Sequence, residues 1–120
     1  MAEINYVRTL GPNGKTFHYV WALGDADTGQ TVQHAGAADM SFQVFGTFGS
    51  ATVVLQGSNQ PFDGAIDTFW TLTDQADNAI SFTSAGGEAV APLAAAIRPS
   101  TSGGSGTAIT AILFIRSTMR

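Results

Sequence analysis

Asp39-Met40-Ser41-Phe42-Gln43-Val44-Phe45, then Gly46-Thr47-Phe48-Gly49, then Ser50-Ala51-Thr52-Val53-Val54-Leu55-Gln56, is the stretch whose reading decides the fold. Met40, Phe42 and Val44 alternate with Ser41 and Gln43, and Ala51, Val53 and Leu55 alternate with Thr52, Val54 and Gln56. A period of two gathers each set on one side of a pleated strand, whereas a helix would scatter it around the axis. Two such strands about the glycine-bearing connection Gly46–Gly49 predict a β-hairpin.

Working outward, the same grammar of short apolar runs and turn residues recurs. Glu3–Thr9 reads as a first strand closed by the turn Gly11-Pro12-Asn13-Gly14, and Thr16–Leu23 as an aromatic, β-branched second strand. Gly24–Ala38 is rich in Gly, Asp, Thr and Gln and reads as a long exposed loop, with at most a brief strand at Gln30–Gln33. Phe69–Thr73 is expected to carry Trp70 and Leu72 inward, and Ala79–Thr83 to pair again after an Asp74–Asn78 turn. Ala94–Pro99 reads as a strand that proline ends, and Ser100–Gly106 as a flexible hairpin tip. Gly87–Ala96 is rich in alanine, but Pro92 limits it to a single helical turn. Thr107–Arg116 is the last strand and is apolar on both faces: Ile109, Ala111, Leu113 and Ile115 on one, Ile112 and Phe114 on the other. Such a strand is either covered on both sides or lies against a neighbouring subunit. The sum is an all-β chain, an antiparallel β-sandwich or jelly roll of about eight strands in one domain spanning residues 1–120.

Composition narrows the function. Nine acidic residues against five basic ones leave a net charge of −4, the opposite of a phosphate-neutralising stripe, so nucleic-acid binding is not expected. No cysteine is present, which removes disulfides and thiolate chemistry. No segment has the ~18 apolar residues of a membrane-spanning helix, and Met1–Asn5 shows no signal-peptide pattern. Charged residues are 12% of the chain, half the ~25% that is usual, so the surface must be built largely from Ser, Thr, Gln, Asn, Ala and Gly.

Candidate chemistry is thin. Gly11–Thr16 ends in Gly-Lys-Thr, but Thr9 stands where a phosphate loop needs glycine and a strand follows where it needs a helix. Asp25-Ala26-Asp27-Thr28-Gly29 begins like a calcium loop, yet Gly29, Gln30 and Gly36 occupy the positions of a donor, the turn glycine and the closing glutamate. His18 and His34 are not at metal-ligand spacing, and a carboxylate pair of Asp63 or Asp67 with Glu88 would lie on loops. The expectation is a protein that acts by contact, without cofactor or metal, and not as an enzyme.

Two resemblances bear on what it contacts. Thr52-Val53-Val54-Leu55-Gln56-Gly57-Ser58-Asn59 followed by Trp70-Thr71-Leu72 is similar to a hairpin of discoidin-like sandwiches, over twenty-odd residues. More broadly, Trp21–Gly29, Phe42–Asn59 and Ile97–Thr107 resemble small β-sandwich virion proteins of tailed bacteriophages, most of all capsid decoration (cement) proteins. Gln60-Pro61-Phe62 departs from that pattern by lengthening a loop. The resemblance implies a capsid-surface protein, assembled in the host cytoplasm. It would bind the major capsid protein in the assembled lattice, stabilise the head, and associate with itself as a dimer or trimer. The expected contacts are the amino-terminal segment (Ile4, Tyr6, Val7) by strand addition, the Gly24–Ala38 loop (Asp25, Asp27, Gln30), and the outer face of the last strand (Ile112, Phe114). The alternatives are a tail or head-closure subunit, or a carbohydrate- or receptor-binding module with an aromatic platform from Tyr6, Tyr19, Trp21 and Phe62.

Overall fold

The computed structural model describes residues 3–11, 14–33, 37–60, 66, 68–91 and 94–117. The strands run in order β1 (Glu3–Ile4), β2 (Val7–Leu10), β3 (Thr16–Leu23), β4 (Thr28–Gly29), β5 (Ala37–Thr47) and β6 (Thr52–Ser58). They continue with β7 (Trp70–Thr71), β8 (Ser81–Phe82), β9 (Gly86–Ala89), β10 (Ala96–Ser102) and β11 (Ala108–Ser117). The chain is all-β, with no helix among the described residues. Among the described residues eleven strands replace the eight expected, because the first is broken in two and several are only two residues long.

One sheet has the order β2-β3-β11-β5-β9 and is antiparallel throughout. The other has the order β1-β4-β10-β6-β7, with β8 also on β6, and is antiparallel except for the β1–β4 pair. The sheets pack face to face. β11, central in its sheet, turns Ile109, Ala111, Leu113 and Ile115 inward beside Tyr19, Trp21 and Leu23 of β3 and Met40, Phe42 and Val44 of β5. Val53 and Leu55 of β6 and Ile97 of β10 close the same core from the opposite sheet.

The Asp39–Gln56 alternation holds, but the hairpin does not form. β5 pairs with β11 and β9, whereas β6 pairs with β10, β7 and β8, so Gly46–Ala51 carries the chain from one sheet to the other. Two strands that face each other across a core alternate just as two that lie side by side do. The turn is made by Gly46, Gly49 and Ser50 at φ 124°, 56° and 70°, and the Ala51 amide donates to the Phe48 carbonyl at 2.9 Å. The Ser102–Ala108 segment is likewise a crossing between sheets and not a hairpin tip.

Further expectations are corrected. Gly24–Ala38 is no long loop: it holds β4, Val32 bridges Ile97, and β5 begins at Ala37. Proline does not end the strand after Ala94, since β10 runs through Pro99 to Ser102. The Leu55 amide donates to Ile80, which makes Pro99–Leu55 a pair without ladder bonds, and the proline ring instead abuts Gly29 of the short β4. The expected inward pair holds for Leu72, which is buried and donates its amide to Leu55 at 2.8 Å, but not for Trp70, which is 43% exposed on the edge strand. Gly87–Ala89 is strand, not helix.

Gly46 lies in the left-handed half of backbone space with the Ala108 carbonyl where a Cβ would project. Gly46→Ala should therefore lower unfolding free energy by about 1–3 kcal/mol in urea titrations, more than an ordinary glycine substitution.

Candidate interaction surface

The amino-terminal candidates are built into the domain. β1 pairs with β4, and the Gln30 amide donates to the Ile4 carbonyl at 2.7 Å. Tyr6 stands edge-on to Tyr19 and Trp21, with ring centroids at 4.9 and 6.1 Å, and the Trp21 indole donates to the Gln30 carbonyl at 3.1 Å. The Tyr6 amide donates to Gln30 Oε1 at 3.2 Å. Ile4 and Tyr6 thus add to their own sandwich and not to a neighbour's sheet. Tyr19 and Trp21 are buried, so the aromatic platform expected of a carbohydrate-binding module does not exist at those residues; Phe62 lies outside the described residues.

Asp25 and Asp27 close a crossing at one end of the sandwich. Asp27 Oδ2 accepts from the Gly24 amide at 2.6 Å, and the Asp27 amide donates to Thr101 Oγ1 at 2.7 Å. The Thr101 hydroxyl, itself buried, lies 2.9 Å from the Gly24 carbonyl and 3.0 Å from that of Asp27. Asp25 Oδ1 accepts from the Thr107 amide at 2.9 Å, and bonds from the Thr107 side chain and backbone hold the Asp25 carboxyl below its ordinary range. Thr107 Oγ1 also lies 3.0 Å from the Phe48 carbonyl, and the Ser105 amide donates to the Gly49 carbonyl. Three crossings between the sheets are tied together here, and no group of three His, Asp or Glu able to hold a metal occurs among the described residues.

The remaining candidates share a surface. Register carries Val7 of β2 onto Val20 of β3, Val20 onto Ile112 of β11, and Ile112 onto Gln43 of β5, all on the outward side of the five-stranded sheet. The next row is Thr9, His18, Phe114 and Ser41, with the His18 and Phe114 rings 4.9 Å apart. Ala22, Thr110 and Phe45 make a third row, and the Arg116–Asp39 ion pair closes one corner. Ile112 and Phe114 are half-buried by their neighbours, while Val7 and Phe45 are 68% and 43% exposed. None of the described strands covers this face. Beside Phe114 and Arg116 it deepens into a groove of about 440 Å³ that reaches Met40, Gln75 and Val90.

The other sheet's outward face is wet by comparison. Arg98, Ser100 and Ser102 of β10 stand in register with Gln56, Val54 and Thr52 of β6, followed by Thr71 and Ser81. Arg98 lies 3.7 Å from the Phe69 ring centroid and bonds Gln56 at 3.0 Å. Val20 and Phe45 complete the dry face and are absent from the contacts expected on sequence grounds. Their signal is an apolar residue on the second face of β3 and β5, which gains meaning only once register aligns them.

Glu88 pairs with Asp74, while Asp63 and Asp67 lie outside the described residues, as does His34. Asp74 accepts from the Ala76 and Asn78 amides at 2.9 and 3.0 Å, which holds its carboxyl low. Hydrogen bonding to Asp74, followed by burial and by the charge of Asp74, pushes Glu88 up.

No protein-family model and no curated protein matches the chain. A cupin domain from Bordetella pertussis is similar in structure over 98% of this chain and 99% of its own, at 12% identity and a TM-score of 0.38. No functional residue is carried over from it.

The end of the sandwich and the carboxyl pair each give a measurable outcome. Thr101→Val leaves the Asp27 amide and the Gly24 carbonyl without their partner and should cost about 1–3 kcal/mol of unfolding free energy. Because Glu88 titrates above its unfolded value, its contribution is full at low pH and is lost as pH rises through the folded value. Glu88→Gln should hence melt higher than the parent at pH 7 and equally near pH 4 in calorimetry.

Proposed function

We propose that this protein is a non-catalytic structural module that works through the outward face of its five-stranded sheet, and that it serves as a decoration protein on the head of a tailed bacteriophage. The contrast between the two outward faces carries the reading. One presents Ser, Thr, Gln and Arg98 with Val54 as its single branched aliphatic residue in register; the other interleaves Val7, Val20, Ile112, Phe114 and Phe45 with Thr9, His18, Ser41, Gln43 and Thr110, and has the Arg116–Asp39 pair at its corner. An apolar sheet face that no described element of its own chain covers is the mark of an association surface. The low charge content and the decoration-protein resemblance of Trp21–Gly29 and Phe42–Asn59 favour a lattice as the setting.

The mechanism is linkage. A protein that binds the assembled shell and not its dissociated subunits stabilises the shell by mass action, because each copy must leave before the shell opens. Repetition across the lattice multiplies modest contacts.

Quantitative mass spectrometry of purified particles tests this reading: copies comparable to coat protein are expected. A handful would move the chain to the tail or connector, and none would end the virion reading. On shells stripped of this chain, Ile112→Asp should bind at least ~100-fold more weakly than the parent, since it leaves a charge unpaired in an apolar contact.

A further inference from the structure

We propose that Glu88 and Asp74 form a proton-operated clasp across one open edge of the sandwich. With a proton between the two carboxyls, β9 is fastened to the opposite sheet; when that proton leaves, β9 loosens from β5.

Register puts the two groups face to face. β9 is an edge strand of the five-stranded sheet and pairs with β5. Paired residues of antiparallel strands point the same way, so Gly86 shares the inward side with Val44, and Glu88 shares it with Phe42. The position of Gly86 agrees, since a Cβ there would lie 3.0 Å from the Phe82 ring of the opposite sheet. Glu88 thus directs its carboxyl toward the gap between the sheets, at its rim. Across the gap Asp74 opens the turn between β7 and β8, and its side chain hydrogen-bonds that of Glu88.

The turn holds Asp74 as an anion. Asp74 Oδ1 accepts from the Ala76 and Asn78 amides, and the Asp77 amide donates to the Asp74 carbonyl at 3.1 Å. The proton of the pair therefore sits on Glu88, whose hydroxyl donates to the Asp74 carboxylate. Its loss sets two like charges against each other. Among the described residues no cation contributes to either carboxyl. The other charged groups on the elements around Glu88 are Asp77 of the turn and Asp39 of β5, and Asp39 stands on the outward side, paired with Arg116. An inward charge on an edge strand also deters stray pairing, but that role calls for water or a cation beside it, and here a second carboxyl stands there.

β9 is weakly held otherwise. It has four residues, of which Gly86, Gly87 and Ala89 bring no large side chain to the sheet. Just beyond it the Val90 amide donates to the Met40 carbonyl and the Ala91 amide to the Thr73 carbonyl, each at 3.0 Å, the second spanning the sheets beside the clasp. The groove at Phe114 is lined by Gln75, next to Asp74, and by Ala89, next to Glu88, so the same proton sets its width. Because Glu88 titrates above its ordinary range, the clasp is complete below that folded value and is lost as pH rises through it.

Amide hydrogen exchange of the full chain, followed by NMR and divided by the intrinsic rate at each pH, tests the clasp. From about pH 4 to about pH 7, protection of Val90 and Ala91 should fall by about two- to five-fold relative to Val32 and Ile97, whose amides bond each other's carbonyls on the far side of the sandwich. Glu88→Gln keeps a donor toward Asp74 at every pH and should abolish that relative fall. Asp74→Asn keeps an acceptor for Ala76 and Asn78 but takes the charge away from Glu88; it should abolish the fall as well, and it guards against a misfolded first variant. Equal behaviour of the two pairs of amides in the parent overturns the proposal, as does a relative fall that survives in either folded variant.

Discussion

β11 is the constraint on which the sandwich depends. It is bonded along both edges, to β3 from Ile109 to Arg116 and to β5 from Ala108 to Ser117, and it contributes side chains to both faces. Its inward row of Ile109, Ala111, Leu113 and Ile115 includes a small residue at 111, opposite Trp21, where the indole needs room. Once β11 is placed, period two leaves no freedom: Tyr19, Trp21, Leu23, Phe42 and Val44 must face the core, and Val20, Ile112 and Phe114 must face away from it. The dry outer face therefore comes with the register that builds the core.

The end of the sandwich at Thr101 and Thr107 complements this. Segments Gly24–Asp27, Phe48–Ala51 and Gly103–Thr107 each cross between the sheets and leave backbone groups that no ladder serves. Side chains of Asp25, Asp27, Thr101 and Thr107 satisfy those groups. A buried amide without a partner is costly, so these polar residues belong to the fold. The same logic holds at Gln30, whose backbone and side chain fasten β1, Tyr6 and Trp21 together.

Strands are more legible in this sequence than their neighbours are. Thr16–Leu23 is bounded as its residues suggest, and the second apolar face of the last strand is plain from the alternation of Ile112 and Phe114 with the inward row. Pairing is not legible, because alternation reports which side of a strand is dry and not which strand lies beside it. Hence Asp39–Gln56 reads as a hairpin and is an arch. Pro99 misleads for a related reason: whether its missing amide matters depends on what lies along that edge, and there Val32 bridges Ile97 and β4 meets Ser100, on either side of the proline. Gly24–Ala38 reads as loop because its Asp, Thr and Gln make their bonds with residues up to about eighty positions away, as Asp25 does with Thr107.

The two sheets meet the problem of an exposed surface differently. β6 and β10 set Gln56, Thr52, Arg98, Ser100 and Ser102 outward around Val54, so water serves most of that face. β3, β11 and β5 set Val20, Ile112, Phe114 and Phe45 outward on strands whose inward sides are already fully apolar. A central strand needs an apolar inner row to fold, but nothing in folding requires an apolar outer one. Thr or Gln at 112 or 114 would serve the sheet as well, as Thr52 and Gln56 do on β6. The charged residues stand where that interpretation would put them. Glu3, Arg8 and Glu88 mark edge strands, where stray pairing has to be discouraged, and none of the described charges sits in the middle of the dry face.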